Sequence, residues 1–338
     1  MPATIRDVAE KAGVSASTVS RAFTRPEMVD TATRLRIIAL AESLGYEPSS
    51  AARSLKTGRT GALGIIVPDL SNPFFPDVVR GMQHRAREYG YPVLLADSAE
   101  DPSAEPALVR TLARNVDAIV LCSPRMSDAE LTEAARLRPV VLVNREAPAG
   151  PAATVPAVTI DNAGGIQQAV RHLHALGHRR IGFVSGTRTS RSNEDRLVAF
   201  TDATAAAGLV GTVIGSYQPT VEGGAAAADD ALLADVTAVV VYNDVMAAGL
   251  IGRLSRVGVE LPGRLSIVGF DDISLAALLT PALTTVRISL ELAGAVAVDR
   301  LHAHLTGAGP DVARPAPLPT ELVVRDSTAA VSAADLRG

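Results

Sequence analysis

The 338-residue chain is 47% hydrophobic and 20% charged with a single cysteine, which excludes a disordered or collagen-like polymer and any disulfide within the chain. No apolar run reaches the roughly 18 residues of a membrane span, and charges recur through the first thirty residues, so a cytoplasmic protein of two or three domains is expected. The net charge of -4 is unevenly spread: residues 1–60 hold nine Lys and Arg against six acids, and the remainder 23 against 30, as suits a cationic head that meets phosphate and an acidic body that does not.

From Ile5 to about Leu44 the pattern predicts three short helices. The first is Ile5 to Ala12, stopped by a left-handed turn at Gly13. Ser15 caps the second, which runs to about Phe23. The third, Thr31 to Leu44, would carry Leu35, Ile38, Ala39 and Leu44 on its covered face, with Thr31 as cap. Val8, Ala9, Ala12, Val14 and Val19 would form the packed side of the first two. Gly45 ends the bundle, Pro48 opens a short helical stretch from Ser49 to Leu55, and Thr57 to Gly61 reads as linker. A helix of about two turns is unstable alone, because nucleation costs more than so few hydrogen bonds return. The boundaries are therefore 1–48, 49–61 and 62–338.

Beyond residue 61 apolar strands alternate with amphipathic helices. The strands are Leu63 to Val67, Val93 to Ala96, Ala118 to Leu121, Val140 to Val143, Ile181 to Val184, Val213 to Tyr217, Ala238 to Tyr242 and Ser266 to Phe270. The helices include Val78 to Tyr89, Gly165 to Leu176, Arg196 to Ala207 and Val245 to Val257. Strands apolar throughout indicate an α/β class with parallel sheets covered on both faces. Eight strands make about two sheets, divided near Gly150 to Ala157, with room for more than one crossing. Ligands of such sheets bind beyond the strand C-termini, so a cleft between two lobes follows.

Candidate groups for that cleft stand at strand ends: Asn72, Phe74, Asn144, Arg145, Arg196, Tyr217, Asn243, Asp244 and Asp271, with Phe270 before the acid pair. Asn243 or Asp244 would equally cap the helix from Val245, and Asp272 the segment after it. In RHLHALGHRR, His172 and His174 face different sides of a helix and His178 suits a C-terminal cap, so no metal site is read. Cys122 is expected to be a buried strand thiol. The sequence contains no phosphate-binding loop, dinucleotide fingerprint, serine elbow or paired cysteines; neither an enzyme nor a cofactor is expected.

The stretch VAEKAGVSASTVSRAF (residues 8–23) resembles the head of LacI/GalR-family regulators. Three further segments in the same order carry the resemblance along the whole chain: GYEPSSAARSLKTGRTGALGIIVPDLSNPFF, GHRRIGFVSG and SIVGFDDISLAALLTPALTTVR. It implies a helix-turn-helix head, a hinge helix and a two-lobed periplasmic-binding-protein-like sensor. It also implies a repressor of a pseudo-palindromic operator in double-stranded DNA, acting as a homodimer under a small polar effector, most often a sugar. Ala16, Ser17 and Arg21 occupy base-reading positions, with Arg21 able to bridge a guanine; Arg6, Ser15, Thr18 and Ser20 suit phosphates. Paired hinge segments would order on DNA, Ala52 allowing their close approach and Leu55 wedging into the minor groove. The resemblance adds weight to Arg196, Asn243 and Asp271 as effector contacts and to Tyr217 as a stacking wall. Asn144-Arg145 departs from the family's Asp-Arg, exchanging a pure acceptor for an amide that also donates. A purine- or nucleoside-responsive regulator and a sugar-binding protein without DNA activity are the alternatives. No heptad tail follows Asp326, so a coiled-coil tetramer is not indicated.

Overall fold

The computed structural model describes residues 3–46, 59–150, 153–308 and 316–331, and the chain divides into two compact units after Gly61. In the first unit, helix α1 (Ile5–Ala12) opens with a capping box, in which the Thr4 hydroxyl accepts from Asp7 N and the Asp7 carboxylate accepts from Thr4 N. Gly13, at φ 64°, turns the chain left-handed. Ser15 then caps α2 (Ala16–Thr24) by accepting from Thr18 N at 3.1 Å. The third helix, α3 (Thr31–Ser43), is capped by Asp30, one residue before the expected Thr31, through Thr33 N at 3.1 Å.

Val8, Ala9, Ala12, Val19, Ala22, Ile37 and Ala41 form this unit's core, and Val14 packs against it. Leu35 and Ala39, expected inward, are exposed, while Ile37 and Ala41 take the covered row. The segment LRIIALA is apolar on nearly every side, so periodicity alone does not choose its inner face; the ridge presented by α1 and α2 does.

In the second unit the chain runs β1 (Leu63–Val67), α4 (Phe74–Glu88), β2 (Val93–Asp97), α5 (Glu105–Leu112), β3 (Ala118–Cys122), α6 (Asp128–Leu137), β4 (Val140–Val143) and β5 (Ala157–Val158). These strands build a parallel sheet in the order β2-β1-β3-β4-β5. The chain then crosses to a second lobe: α7 (Asn162–Ala175), β6 (Arg180–Val184), α8 (Arg191–Ala206), β7 (Val210–Ile214), α9 (Val221–Leu233), β8 (Ala238–Val241), α10 (Asp244–Arg256), β9 (Ser266–Asp271) and β10 (Thr284–Ile288). Helix α11 (Leu290–Thr306) returns to the first lobe, and β11 (Thr320–Val323) closes the second sheet, ordered β11-β10-β9-β8-β6-β7, with β11 alone antiparallel.

The chain thus passes between lobes three times. Two passages lie side by side, Leu318 N donating to Thr159 O at 2.9 Å and Asp161 N to Leu318 O at 2.9 Å. The first passage comes after β5, a few residues beyond the expected break, because Ala157 and Val158 still pair with Leu142 and Val143. What draws α11 back is its fit to α4: a Cβ on Gly81 would stand 2.0 Å from Glu291 O, and one on Gly294 2.1 Å from Val78 O. Only two glycines allow helix backbones so close. Strands β1, β3, β4, β8 and β9 are buried along their whole length, as all-apolar central strands require. The strand expected at Val213 to Tyr217 is Val210–Ile214 instead: it follows the register of β6 from Arg180↔Val210, and Gly215 at φ 54° turns the chain away.

Candidate functional site

On α2 the groups available to a partner are Ser17 and Arg21, both exposed, beside the half-buried Thr18 and Ser20; Arg6 and Ser15 are exposed next to them, and Ala16 lies half-buried against the head's core. Ser15 and Thr18 are partly committed to each other, with Ser15 Oγ 2.9 Å from Thr18 Oγ1 and 2.7 Å from Ser17 Oγ. The helix therefore presents a short polar N-terminus with one long cation a turn later, a shape that fits a major groove. Ala52 and Leu55 lie outside the described residues.

The second unit holds a small cleft between its lobes, and most of its walls are strand C-termini. From the first lobe come Asn72 and Phe74 after β1, Glu100 after β2, Ser123 and Arg125 after β3, and Asn144 after β4. From the second come Tyr242 and Asn243 after β8, Asp271 at the end of β9, and Arg196 from α8.

Arg196 is the hub of the second lobe. It is 2% exposed, donates from Nε to Asn162 Oδ1 at 2.9 Å and from Nη1 to Tyr242 O at 2.6 Å, and lies 3.6 Å over the Phe270 ring centroid. Its Nη2 reaches Asp271 Oδ1 at 3.4 Å, a long contact for an ion pair. Burial pushes the Asp271 carboxyl up to about 7, and Arg196 offsets only part of that rise. Asp271 sits at φ 116° and Asp272 at φ 54°, two strained residues in succession at the rim of the site. Asp272 turns outward to Arg287 at 2.7 Å and Arg325 at 2.6 Å. Behind them, Asp244 is buried and accepts from Ile273 N and the Thr285 hydroxyl, its carboxyl held well above the usual range by burial and by neighbouring Asp271.

Across the cavity Arg125 grips Glu100 with both arms, Nε to Oε2 at 2.8 Å and Nη2 to Oε1 at 2.9 Å. Its loop is fixed from below by Glu105, whose carboxylate accepts from Arg125 N and Met126 N. Arg125 Nη1 also reaches Ser190 Oγ at 3.4 Å, which bonds in turn to the Tyr242 hydroxyl at 3.0 Å, so the two lobes touch here. Asn144, at φ 57°, donates from Nδ2 to Ser123 Oγ at 3.0 Å, and its buried Oδ1 has no partner.

Likeness to known proteins says what such an assembly is. Residues 4–49 match the family described as bacterial regulatory proteins, lacI family, and residues 170–328 match the periplasmic binding protein-like domain. The HTH-type transcriptional repressor CytR of Escherichia coli (strain K12) is 33% identical over 341 residues, covering 97% of each chain. The chain belongs to the lacI family of bacterial regulatory proteins. Among solved structures of this family, the Lac repressor dimer bound to operator and the anti-inducer ONPF superposes with a TM-score of 0.84 at 25% identity, over 98% of this chain and 100% of that one. The regulator CelR in complex with cellobiose gives a TM-score of 0.69 at 29% identity, over 96% and 100%.

In this lacI-family regulator, Asn72, Phe74, Asn144, Arg196, Asn243 and Asp271 come together around one cavity. Arg145 and Tyr217 do not join them. Arg145 braces the loop beneath, donating to Pro124 O, Met126 O and Asp128. Tyr217 lies beyond the end of β7 and gives its hydroxyl to Asp230 on α9, so Phe74, Phe75 and Tyr242 are the aromatic walls. Asn243 also serves as the cap of α10, accepting from Met246 N at 2.9 Å. Sequence reading passed over Glu100, Ser123, Arg125 and Tyr242, although the strand-end rule that picked out Asn72 and Asn144 points to them equally. His178 is buried and bonds to Thr237 and to Ala329 O. Among the described residues no cluster of three or more His, Cys, Asp or Glu could hold a metal ion, and no helix is long and apolar enough to cross a membrane.

Proposed function

We propose that this transcriptional regulator is a repressor that grips a pseudo-palindromic operator as a homodimer, and that a small polar effector, a sugar, bound between its lobes sets the strength of that grip. The head is residues 1–48, the hinge 49–61 and the sensor 62–338. Ala16, Ser17 and Arg21 read bases; Arg6, Ser15, Thr18 and Ser20 meet phosphates; Ala52 and Leu55 belong to the hinge contact in the minor groove. Asn72, Phe74, Asn144, Arg196, Asn243 and Asp271 hold the effector.

The observation that carries the reading is the cavity itself. It lies between the two lobes, is lined by amides, charged groups and an aromatic wall, and is joined to the first lobe crossing through Arg196, whose Nε donates to Asn162 Oδ1 at 2.9 Å. A ligand that contacts both lobes favours the arrangement in which those contacts are made, and so shifts whatever depends on lobe geometry. The cellobiose complex of CelR and the chain-long likeness to CytR and the Lac repressor support the same reading.

Selection of bound duplexes from a random library tests it. Enrichment of a two-fold-symmetric site, bound by two protein chains, is expected, with affinity for that site changing at least tenfold when an effector saturates the cleft. Failure to enrich any duplex would overturn the reading. An enzyme of sugar metabolism would need a nucleophile or a paired acid and base facing the cavity; here Glu100 is spent on Arg125 and Asp271 faces Arg196.

A further inference from the structure

The first-lobe sheet is parallel, so its two ends differ. Strand C-termini face the cleft, while the N-termini of β1, β2, β3 and β4 and the C-termini of α4, α5 and α6 gather at the opposite end. The chain enters the second unit there: Ala62 O accepts from Asp117 N at 2.8 Å, and Leu63 N donates to Pro92 O at 2.9 Å. Arginines crowd the same end, with Arg85 and Arg87 closing α4, Arg110 and Arg114 closing α5, and Arg136 and Arg138 closing α6. Its acids are fewer. Glu88 and Asp299 are held by Arg85 at 3.3 and 3.5 Å, Glu133 by Arg136, and Asp117 is half-buried. Arg138 Nε donates to Ala113 O at 2.9 Å and to Val116 O at 3.1 Å, which ties the end of α6 to that of α5. Arg87, Arg110 and Arg114 stand over, exposed and with no ion pair or side-chain hydrogen bond among the described residues.

Beyond residue 60 the chain holds 23 Lys and Arg against 30 acids, so unpaired cations gathered at one end run against the charge of the body that carries them. A last-turn cation also suits the helix dipole, which accounts for Arg87 and Arg110 but not for Arg114, beyond the end of α5. Building on the operator-binding reading above, we propose that the first lobe makes its own contact with DNA, Arg110 and Arg114 meeting backbone phosphates once the head has gripped the operator. Two facts select a duplex as the occupant. This end is the part of the second unit that the chain joins to the head, so it stays within a linker's reach of whatever the head holds. A duplex also carries one negative charge per about 1.7 Å of its axis, a density that exposed guanidiniums meet without a fitted pocket. Phosphate contacts carry no sequence information, so this surface adds affinity and salt dependence while the head keeps the choice of bases.

The experiment follows binding of the full-length protein to its selected duplex by fluorescence anisotropy, from about 50 to about 300 mM salt. The slope of log affinity against log salt falls by about 0.9 for each phosphate contact removed. Arg110→Gln combined with Arg114→Gln should therefore flatten it by about 1.8 per chain, about 3.6 for a dimer, and weaken binding at least about tenfold at the low-salt end. Base preference in repeat selection should not move. Arg110→Lys with Arg114→Lys should restore the slope, since a lysine serves a phosphate as a point charge. Arg171→Gln with Arg179→Gln removes the same charge from α7 and the turn after it, on the second lobe, and should leave the slope near that of the parent. All four side chains are exposed, so melting temperatures should stay near the parent value. A slope unchanged by the first pair of substitutions, or lowered as much by the second-lobe pair, would overturn the proposal, as would a lysine variant that stays weak. A protein that selects no duplex loses the operator-binding reading and this contact together; one that selects a duplex, with the parent slope kept in the glutamine variant, loses this contact alone.

Discussion

Replacing Asp271 with Asn should flatten the pH dependence of the sensor's stability between about pH 4 and pH 7. The Asp271 carboxyl is raised to about 7 by burial, against roughly 3.9 in an unfolded chain. A raised carboxyl binds its proton more tightly in the folded state, so its contribution is fully present below the unfolded value and is lost as pH rises through the folded one. The shift of about three units corresponds to roughly 4 kcal/mol at most, and parent and variant should diverge by about 1.4 kcal/mol for each pH unit within that window. The groups that face Asp271 are Arg196 from α8, Asp244 from the start of α10 and Asp272 with its partners Arg287 and Arg325. Asp244, held well above the usual carboxylate range chiefly by burial, is present in parent and variant alike, so the difference between their curves reports Asp271. Urea unfolding followed by circular dichroism, which suits a chain without tryptophan, at pH 5, 6, 7 and 8 reads the difference. Asp271→Asn should be less stable than, or equal to, the parent at pH 5 and more stable relative to it at pH 8. Two parallel curves would show that Arg196 keeps the carboxylate ionised throughout, and the strained, weakly paired picture of the rim would fall.

Three further substitutions probe the other links. Arg21→Ala should lower affinity for a selected duplex by about 1–3 kcal/mol and relax base preference at one position per half-site, with the head's helicity unchanged because the side chain is exposed; an unaltered preference in repeat selection would remove Arg21 from base reading. Arg196→Met keeps the contact over Phe270 but strands Asn162 and Asp271, and should cost about 3–5 kcal/mol in urea unfolding; a loss below about 1 kcal/mol would deny it the role of hub. Gly81→Ala places a methyl 2.0 Å from Glu291 O, backbone that does not yield, so a loss of about 1–3 kcal/mol or more is expected; full stability would mean that α11 does not dock on α4 as closely as described.

The composition and the period of the apolar residues were enough to set the class of this protein: three helices then alternating strands and helices, two parallel sheets, and a cleft at their C-terminal ends. Those follow from local rules, since an all-apolar run of five residues has few places to go other than the middle of a covered sheet. Local rules also located Ser15 as a cap and Gly13 as a turn, and the strand-end rule found Asn72, Asn144, Asn243 and Asp271. They could not choose the inner face of α3, whose sequence is apolar all round, nor tell that Tyr217 belongs to Asp230 rather than to the cavity, since the end of β7 is set by its register on β6. The return of α11 to the first lobe depends on Gly81 meeting Glu291, a contact 210 residues apart in sequence. The pairing of Arg125 with Glu100, the sharing of Arg196 among three elements and the unpartnered oxygen of Asn144 likewise arise between segments distant in the chain. Such contacts are set by distances between segments, and sequence order does not contain those distances.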